Sequence, residues 1–290
     1  MTEKLFPNVL DFCKEDKYLG EILKKEKINL YKKQSILLKM FYLNHFYHKY
    51  NSFSTEEKAL IKILENKKYI KNFNKNSKYK NLICILGSKS GKNILSKIIL
   101  FYELLMYFKT FKLDNIYNIY YVSKNDNESI FAADRVHYFI DNSDYFFYNT
   151  ISYYKNSINL QNDYGAYARI NFLNYSNLYY NTSLSDFNDN KNTHSLIIFD
   201  DYDYFDLHIN EKCYFSNLFK CKKNKCLIFT SLNKNKNRSH VDQFKYEEKN
   251  TLYSKMPTWE IIDNINRNDL WKKMSKYMSK EKFNRIYGSI

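Results

Sequence analysis

Asn81-Leu82-Ile83-Cys84-Ile85-Leu86-Gly87-Ser88-Lys89-Ser90-Gly91-Lys92-Asn93 is the stretch whose reading decides the fold. Asn81–Leu86 is an apolar run of strand length, ended by Gly87, and Lys92–Phe108 (KNILSKIILFYELLMYF) is strongly apolar at helical length. A glycine-bearing turn between a strand and a helix can aim its backbone N–H groups at phosphate oxygens, aided by the positive end of the helix. The chain of 290 residues has only 5 glycines, and Gly87 and Gly91 both fall in this turn. Glycine at such a turn supplies backbone freedom that other residues lack. Gly87, Ser88, Lys89, Ser90, Gly91 and Asn93 would form the cradle, and Lys92 would reach the β- and γ-phosphates of a nucleotide. The standard pattern G-x-x-x-x-G-K-[ST] would put its first glycine at Leu86 and a hydroxyl at Asn93, so the match departs at both ends.

Outward from this loop, strand and helix patterns alternate. Downstream, Tyr117–Val122 reads as a second strand. It leads into a helix from Asn125, with Asn125 and Glu128 at capping-box positions and Ile130, Ala133, Val136 and Ile140 on one face. Residues 150–190 are polar and rich in Tyr and Asn, with one clear strand at Ala168–Leu173 and a further strand expected at Asn177–Tyr180. Ser195–Phe199 and Lys225–Phe229 read as buried strands, followed by a tail with Tyr253–Glu260 and a helix over Asp269–Tyr277. Upstream, residues 28–50 read as an amphipathic helix with Ile36, Leu37, Met40, Phe41 and Leu43 near one face, which would carry His45 and His48. Ser54–Glu57 opens a shorter helix, and a Lys/Asn-rich link covers Lys67–Lys80. The pattern predicts an α/β protein with a mostly parallel, doubly wound sheet flanked by helices and a small helical portion at the N-terminus. Ligands of such sheets bind at the carboxyl ends of the strands. The expected division is a helical segment over 1–78, an ATPase core over 79–260 and a helical linker over 261–290.

Two further strand ends carry chemistry. Leu196-Ile197-Ile198-Phe199-Asp200-Asp201 delivers two carboxylates at the exit of a buried strand, the Walker B arrangement. Asp200 is the expected Mg2+ ligand, with the Asn93 amide as a weaker one, and Asp201 would polarise the attacking water. Asp201 is one methylene shorter than the glutamate usual there, and Asp203 and Asp206 keep the following loop acidic. Thr230-Ser231 closes the strand through Phe229 and is suited to sensing the γ-phosphate. In order, these pieces define an additional-strand, RecA-like P-loop NTPase that takes ATP and Mg2+. Ser123-Lys124-Asn125-Asp126 looks like a guanine-reading motif but precedes the carboxylate strand, so it reads as a strand end and a helix cap.

The net charge is +15, from 46 Lys+Arg against 31 Asp+Glu. An excess of this size favours a polyanionic partner, although lysine enrichment spread over a solvated surface by an AT-rich codon bias would produce it too. Lys67–Lys80 and Lys222–Arg238 hold much of it. The 5 cysteines, with Cys84 inside an apolar strand, point to a reducing compartment. Cys221 and Cys226 are too far apart for a zinc knuckle. No signal-peptide pattern or run of transmembrane length is present, which predicts a soluble protein that is not secreted.

Joined by their flanks, these motifs resemble the ATPase part of viral terminase large subunits. Gly87–Lys92 with Lys89 inside it is similar to their shortened, basic P-loop, and Leu30–Lys39 around Gln34 resembles their adenine-binding segment. Ser123–Ile140 resembles their second helical layer. Pro257–Glu260 and Lys282–Gly288 resemble segments where the ATPase passes to a nuclease. The resemblance implies an ATP-driven translocase of double-stranded DNA in the host cytoplasm. It also implies a homo-oligomeric ring, a portal protein and a small terminase subunit as partners. By the same resemblance Gln34 contacts adenine, Lys89 and Lys92 act in catalysis with Asp201, and a scarce arginine such as Arg135 or Arg169 would act in trans. The short tail after Trp259 is too small for the nuclease, so DNA cleavage is not expected of this chain. A helicase-like ATPase and a catalytically weak nucleotide- or DNA-binding module are the competing readings, the latter favoured by Asn93 and Asp201.

Overall fold

In the apolar run at residues 81–86, alternate side chains must face opposite sides of a sheet, and both sides here are covered. Leu82, Cys84 and Leu86 join one buried cluster, while Ile83 and Ile85 join another. The computed structural model describes residues 7–45, 49–110, 116–181, 193–202, 205, 207–220, 224–231, 250–263 and 265–288.

Helices come first: α1 (Val9–Lys14), a π-turn (Asp16–Gly20), α2 (Glu21–Lys25), α3 (Lys32–Phe41) and α4 (Thr55–Asn66). Next are β1 (Ile70–Lys71), β2 (Asn81–Leu86), α5 (Lys92–Thr110), β3 (Ile116–Ser123), α6 (Asp126–Asp141) and α7 (Asp144–Tyr148). They are followed by β4 (Thr150–Tyr154), β5 (Ser157–Gln161), β6 (Tyr167–Asn174), α8 (Tyr175–Asn181) and β7 (Thr193–Asp200). The chain continues through α9 (Ile209–Lys220), β8 (Asn224–Thr230) and β9 (Thr251–Met256), and then α10 (Thr258–Ile261), α11 (Arg267–Met274) and α12 (Lys280–Gly288).

The strands form one 9-stranded sheet in the order β1-β9-β2-β8-β7-β3-β6-β5-β4. The run from β9 to β6 is parallel throughout, and antiparallel pairing occurs only at the margins, β1 with β9 and β4 with β5 with β6. One face packs on α1, α3, α5 and α6, through residues such as Phe12, Leu37, Phe101 and Val136. The other packs on α9 and the loop before it, through Phe205, Leu207, Phe215 and Leu218. Among the described residues no helix is long and apolar enough to cross a membrane.

Several expectations need correction. Asn177–Tyr180 lies in helix α8 rather than in a strand, because Asn174 ends β6 and its side chain accepts from the N–H of Asn177 at 2.7 Å. The polar region before it holds a hairpin, β4–β5, that the sequence did not reveal. The tail at Tyr253 belongs to β9, which pairs in parallel with the loop-bearing strand β2. The long helix expected over 28–50 is confined to Lys32–Phe41. His45 follows it in a turn, buried with its ring nitrogen 2.8 Å from the Tyr79 carbonyl, and His48 lies outside the described residues. Ser54 and Glu57 do form the reciprocal cap of α4. Ser123–Asp126 is a strand end and a helix cap, as the sequence order implied.

Candidate functional site

The loop between β2 and α5 is held from two sides. Gly91 adopts φ +80, and a β-carbon there would come 2.5 Å from Gln34 Nε2. Gln34 is buried, and its amide nitrogen donates to the Ser90 carbonyl at 2.7 Å. Its amide oxygen accepts from the N–H of Tyr31 at 2.9 Å, capping α3. Both ends of this side chain thus tie α3 to the loop. Gly87 is needed for close approach: a β-carbon there would lie 2.2 Å from Thr258 Oγ1 and 2.2 Å from the Tyr287 carbonyl oxygen. The N–H of Ser88 donates to the Ile286 carbonyl at 2.8 Å, and Thr258 Oγ1 donates to the Ser88 carbonyl at 2.8 Å. Trp259 and Phe283 stack at 5.8 Å beneath this contact. The two C-terminal segments singled out in the sequence therefore meet on the loop.

Inside the loop, Lys89 is exposed at φ 62, and Ser90 is buried with a hydroxyl that has no hydrogen-bond partner among the described residues. The Lys92 ammonium is buried, 3.4 Å from the Leu86 carbonyl and 3.5 Å from that of Gly87. Burial lowers its pKa, opposed by the charges of Asp201 and then Asp200.

The strand order brings the remaining predicted residues to the same edge. β8 lies between β2 and β7, with Ile85 paired to Thr230 and Phe229 paired to Asp200. Thr230 and Ser231, both buried, therefore sit between the glycine loop and the carboxylates. Tyr121 on β3 donates to Asp200 Oδ2 at 2.9 Å and lies 2.9 Å from the Ser96 hydroxyl. Asp200 Oδ1 is a buried atom without a partner among the described residues. A carboxylate with one oxygen oriented and the other orphaned suits a cation, because such an atom is costly to bury unsatisfied. Asn93 is exposed at the same cleft, so the donor set of Asp200 and an amide oxygen is chemically fit for Mg2+.

Asp201 turns the chain at φ 54, with its N–H donating to the Phe229 carbonyl at 2.7 Å. Burial, and secondly the charge of Asp200, raises its carboxyl from 3.8 to about 6, while Lys92 opposes the rise. Asn93, Lys97, Ser123, Lys124, Glu128, Phe131, Ala132, Asp200 and Asp201 line a cleft of about 210 Å³.

Three of these were missed in the sequence. Lys97 is buried, donates to the Asn93 carbonyl at 3.2 Å and lies 5.6 Å over the Tyr121 ring. Burial pushes its pKa down to about 8, opposed by Asp200. Its signal was legible as a charge inside an otherwise apolar helix. Tyr121 and Glu128 carried no such mark, since tyrosines are abundant and Glu128 passes for a capping residue.

Charge elsewhere is partly internal. Lys67 pairs with Glu260 at 2.9 Å, and Lys225 pairs with the buried Glu103 at 2.7 Å, so neither is free for a polyanion. Arg135 pairs with Glu26 at 3.4 Å, and Arg169 Nε donates to Asn159 at 3.0 Å. Cys221, Lys222, Asp203, Asp206 and the basic stretch with Lys234, Lys236 and Arg238 lie outside the described residues.

A glycine loop after the first parallel strand, carboxylates two strands away and a Thr-Ser pair between them define a P-loop NTPase fold of mixed α/β type. This fold is shared with phage large terminase ATPase domains. The ATPase domain of the Thermus phage P74-26 large terminase aligns with a TM-score of 0.52 at 11% identity, over 74% of this chain and 90% of that one. A mutant form of that domain gives 0.55 at 10% identity over the same shares, 74% and 90%. The large terminase of a thermophilic bacteriophage in complex with ADP gives 0.51 at 11% identity, covering 90% of this chain and 53% of that one. The chain therefore spans about half the length of that terminase, and at these identities the likeness is one of fold. No family model and no curated protein matches the chain.

Proposed function

We propose that this chain is an ATP-hydrolysing motor that moves double-stranded DNA into a viral procapsid. The observation that carries the reading is the convergence of Lys92, Asp200, Asp201 and Thr230-Ser231 at one edge of a sheet of the terminase ATPase fold. In this reading the loop N–H groups and Lys92 bind the β- and γ-phosphates of ATP, and the exposed Lys89 reaches the transferred phosphoryl group. Asp200 and Asn93 would hold Mg2+, whose chemistry is to neutralise charge developing on the phosphates. Asp201 polarises the attacking water, Thr230-Ser231 respond to loss of the γ-phosphate, and Gln34 holds the loop beside the adenine. The motor acts as a homo-oligomeric ring in the host cytoplasm, with a portal protein and a small terminase subunit as partners.

The test is ATP hydrolysis with and without duplex DNA, together with duplex affinity across a salt series. A translocase grips phosphates without reading bases, so affinity should be independent of sequence and fall with a log–log slope of about −0.9 per phosphate neutralised. A Lys234→Ala/Lys236→Ala/Arg238→Ala variant should have a shallower slope. Absence of hydrolysis with or without DNA would refute the motor. Nucleotide binding without turnover would select the second reading, a catalytically weak module, which the departures at Asn93 and Asp201 favour.

A further inference from the structure

Asp201 is poorly placed to work alone. Its backbone turns at φ 54, its N–H is held by the Phe229 carbonyl, and its carboxylate is the leading acidic influence on Lys92. A short side chain on a backbone held in this way has little freedom to follow a water molecule through a reaction.

The cleft contains another carboxylate on a separate element. β3 neighbours β7 on the side away from β8, and α6 begins just beyond its exit. In the first turn of α6, Glu128 is exposed and lines the cleft with Asn93, Asp200 and Asp201. Its charge acts directly on Asp201. Asn125 Oδ1 already accepts from the Glu128 N–H at 3.0 Å, so the helix is capped without the Glu128 side chain. Among the described residues no hydrogen bond holds the Glu128 carboxylate. Two cations line the same cleft, the exposed Lys124 and the buried Lys97, which donates to the Asn93 carbonyl at 3.2 Å. Glu128 is thus a carboxylate one methylene longer than Asp201 that lines the same cleft as Asp200 and Asp201, without a hydrogen bond among the described residues.

We propose that Glu128 completes the hydrolytic pair, orienting the attacking water with Asp201 and taking its proton. This rests on the ATPase reading above. The water oxygen forms a bond to the γ-phosphorus while the bond from that phosphorus to the β–γ bridging oxygen breaks. The electron pair of the broken bond leaves with ADP, and the water's proton passes to the Glu128 carboxylate.

The test uses the full chain and two readouts, affinity for a fluorescent ATP analogue and single-turnover ATP hydrolysis. Glu128→Gln keeps size and helix, so affinity should stay within about twofold while hydrolysis falls by about 10²–10⁴-fold. Glu128→Ala should show the same loss, and Glu128→Asp a part of it. Because both acids would serve one water, Glu128→Gln/Asp201→Asn should be little slower than the worse single variant. The exposed position predicts unchanged thermal melting, which separates this role from a structural one. Hydrolysis at the parental rate in Glu128→Gln, or multiplicative losses in the double variant, would overturn the inference and leave the ATPase reading standing. A parent that neither binds nor hydrolyses ATP would overturn the ATPase reading itself.

Discussion

Replacing Glu103 with alanine should destabilise the protein without touching the nucleotide site. Glu103 lies in the middle of α5, with its side chain 5% exposed, and pairs with Lys225, whose side chain is 17% exposed. The Lys225 ammonium lies 2.7 and 2.9 Å from the two carboxylate oxygens. Tyr42 donates to the same carboxylate at 2.9 Å and Tyr117 at 3.4 Å. Lys225 and Tyr117 stand near the starts of their strands, so this network sits at the end of the sheet opposite the glycine loop. Truncation leaves an ammonium and two phenols facing a void. Breaking a buried pair from one side costs about 3–5 kcal/mol, and the low end applies because Lys225 can still turn toward water. For a chain of this size roughly 3 kcal/mol corresponds to a drop of about 6–12 °C in melting temperature. Calorimetric melts of Glu103→Ala, Glu103→Leu, Lys225→Met and Glu103→Leu/Lys225→Met would measure it. The double variant should recover much of the loss, since an apolar replacement of both partners leaves no buried charge alone. A Glu103→Ala protein that melts with the parent would refute the reasoning, as would a double variant less stable than the sum of the singles.

Gly87→Ala should loosen the C-terminal clasp, because its β-carbon would strike the Tyr287 carbonyl, and backbone yields less readily than a side chain. Hydrogen exchange should then quicken at 257–262 and 280–288 together, and exchange unchanged in both would sink the idea. The raised carboxyl of Asp201 has a definite sign in the pH dependence of stability. Between 3.8 and about 6 the unfolded chain has lost this proton while the folded one keeps it, so the group lowers stability as pH rises through that window. Asp201→Asn should remove that downward contribution in urea melts across the same range, and an unaltered pH profile would contradict the assignment.

How much of this could be read in advance follows from where the physics is local. β2, β7 and β8 announce themselves because strands buried on both faces must be apolar throughout, and each ends abruptly in the residues that carry chemistry. The hairpin β4–β5 hid because its exposed strand is as polar as a loop, with Ser152, Tyr153 and Tyr154 outward or at the surface. β9 hid because its partner β2 lies far away in sequence and its buried polar residues, Thr251 and Ser254, break the apolar pattern. Tyr- and Asn-rich composition disguised α8 as a strand. At the candidate site, Gly87, Lys92, Asp200 and Thr230 were marked by spacing, and the strand order brings them to one edge of the sheet. Thr258 could be marked only as part of a segment, and Gln34 only by resemblance as an adenine contact, since the contacts of both with the loop are tertiary. The charges inside α5 were the overlooked signal: a lysine and a glutamate in an apolar helix require partners, which the Asn93 carbonyl and Lys225 provide.

Calorimetric titration of ATP with Mg2+ into the parent and into Lys92→Ala tests the central claim most directly. Lys92 is the buried cation of the glycine loop, and the charges of both carboxylates act on it. The parent should bind. Hydrogen bonds from a charged donor are worth about 1.5–3 kcal/mol, so the variant should bind about 10–100-fold more weakly. Equal affinity in the two proteins, accompanied by equal hydrolysis, would contradict the account.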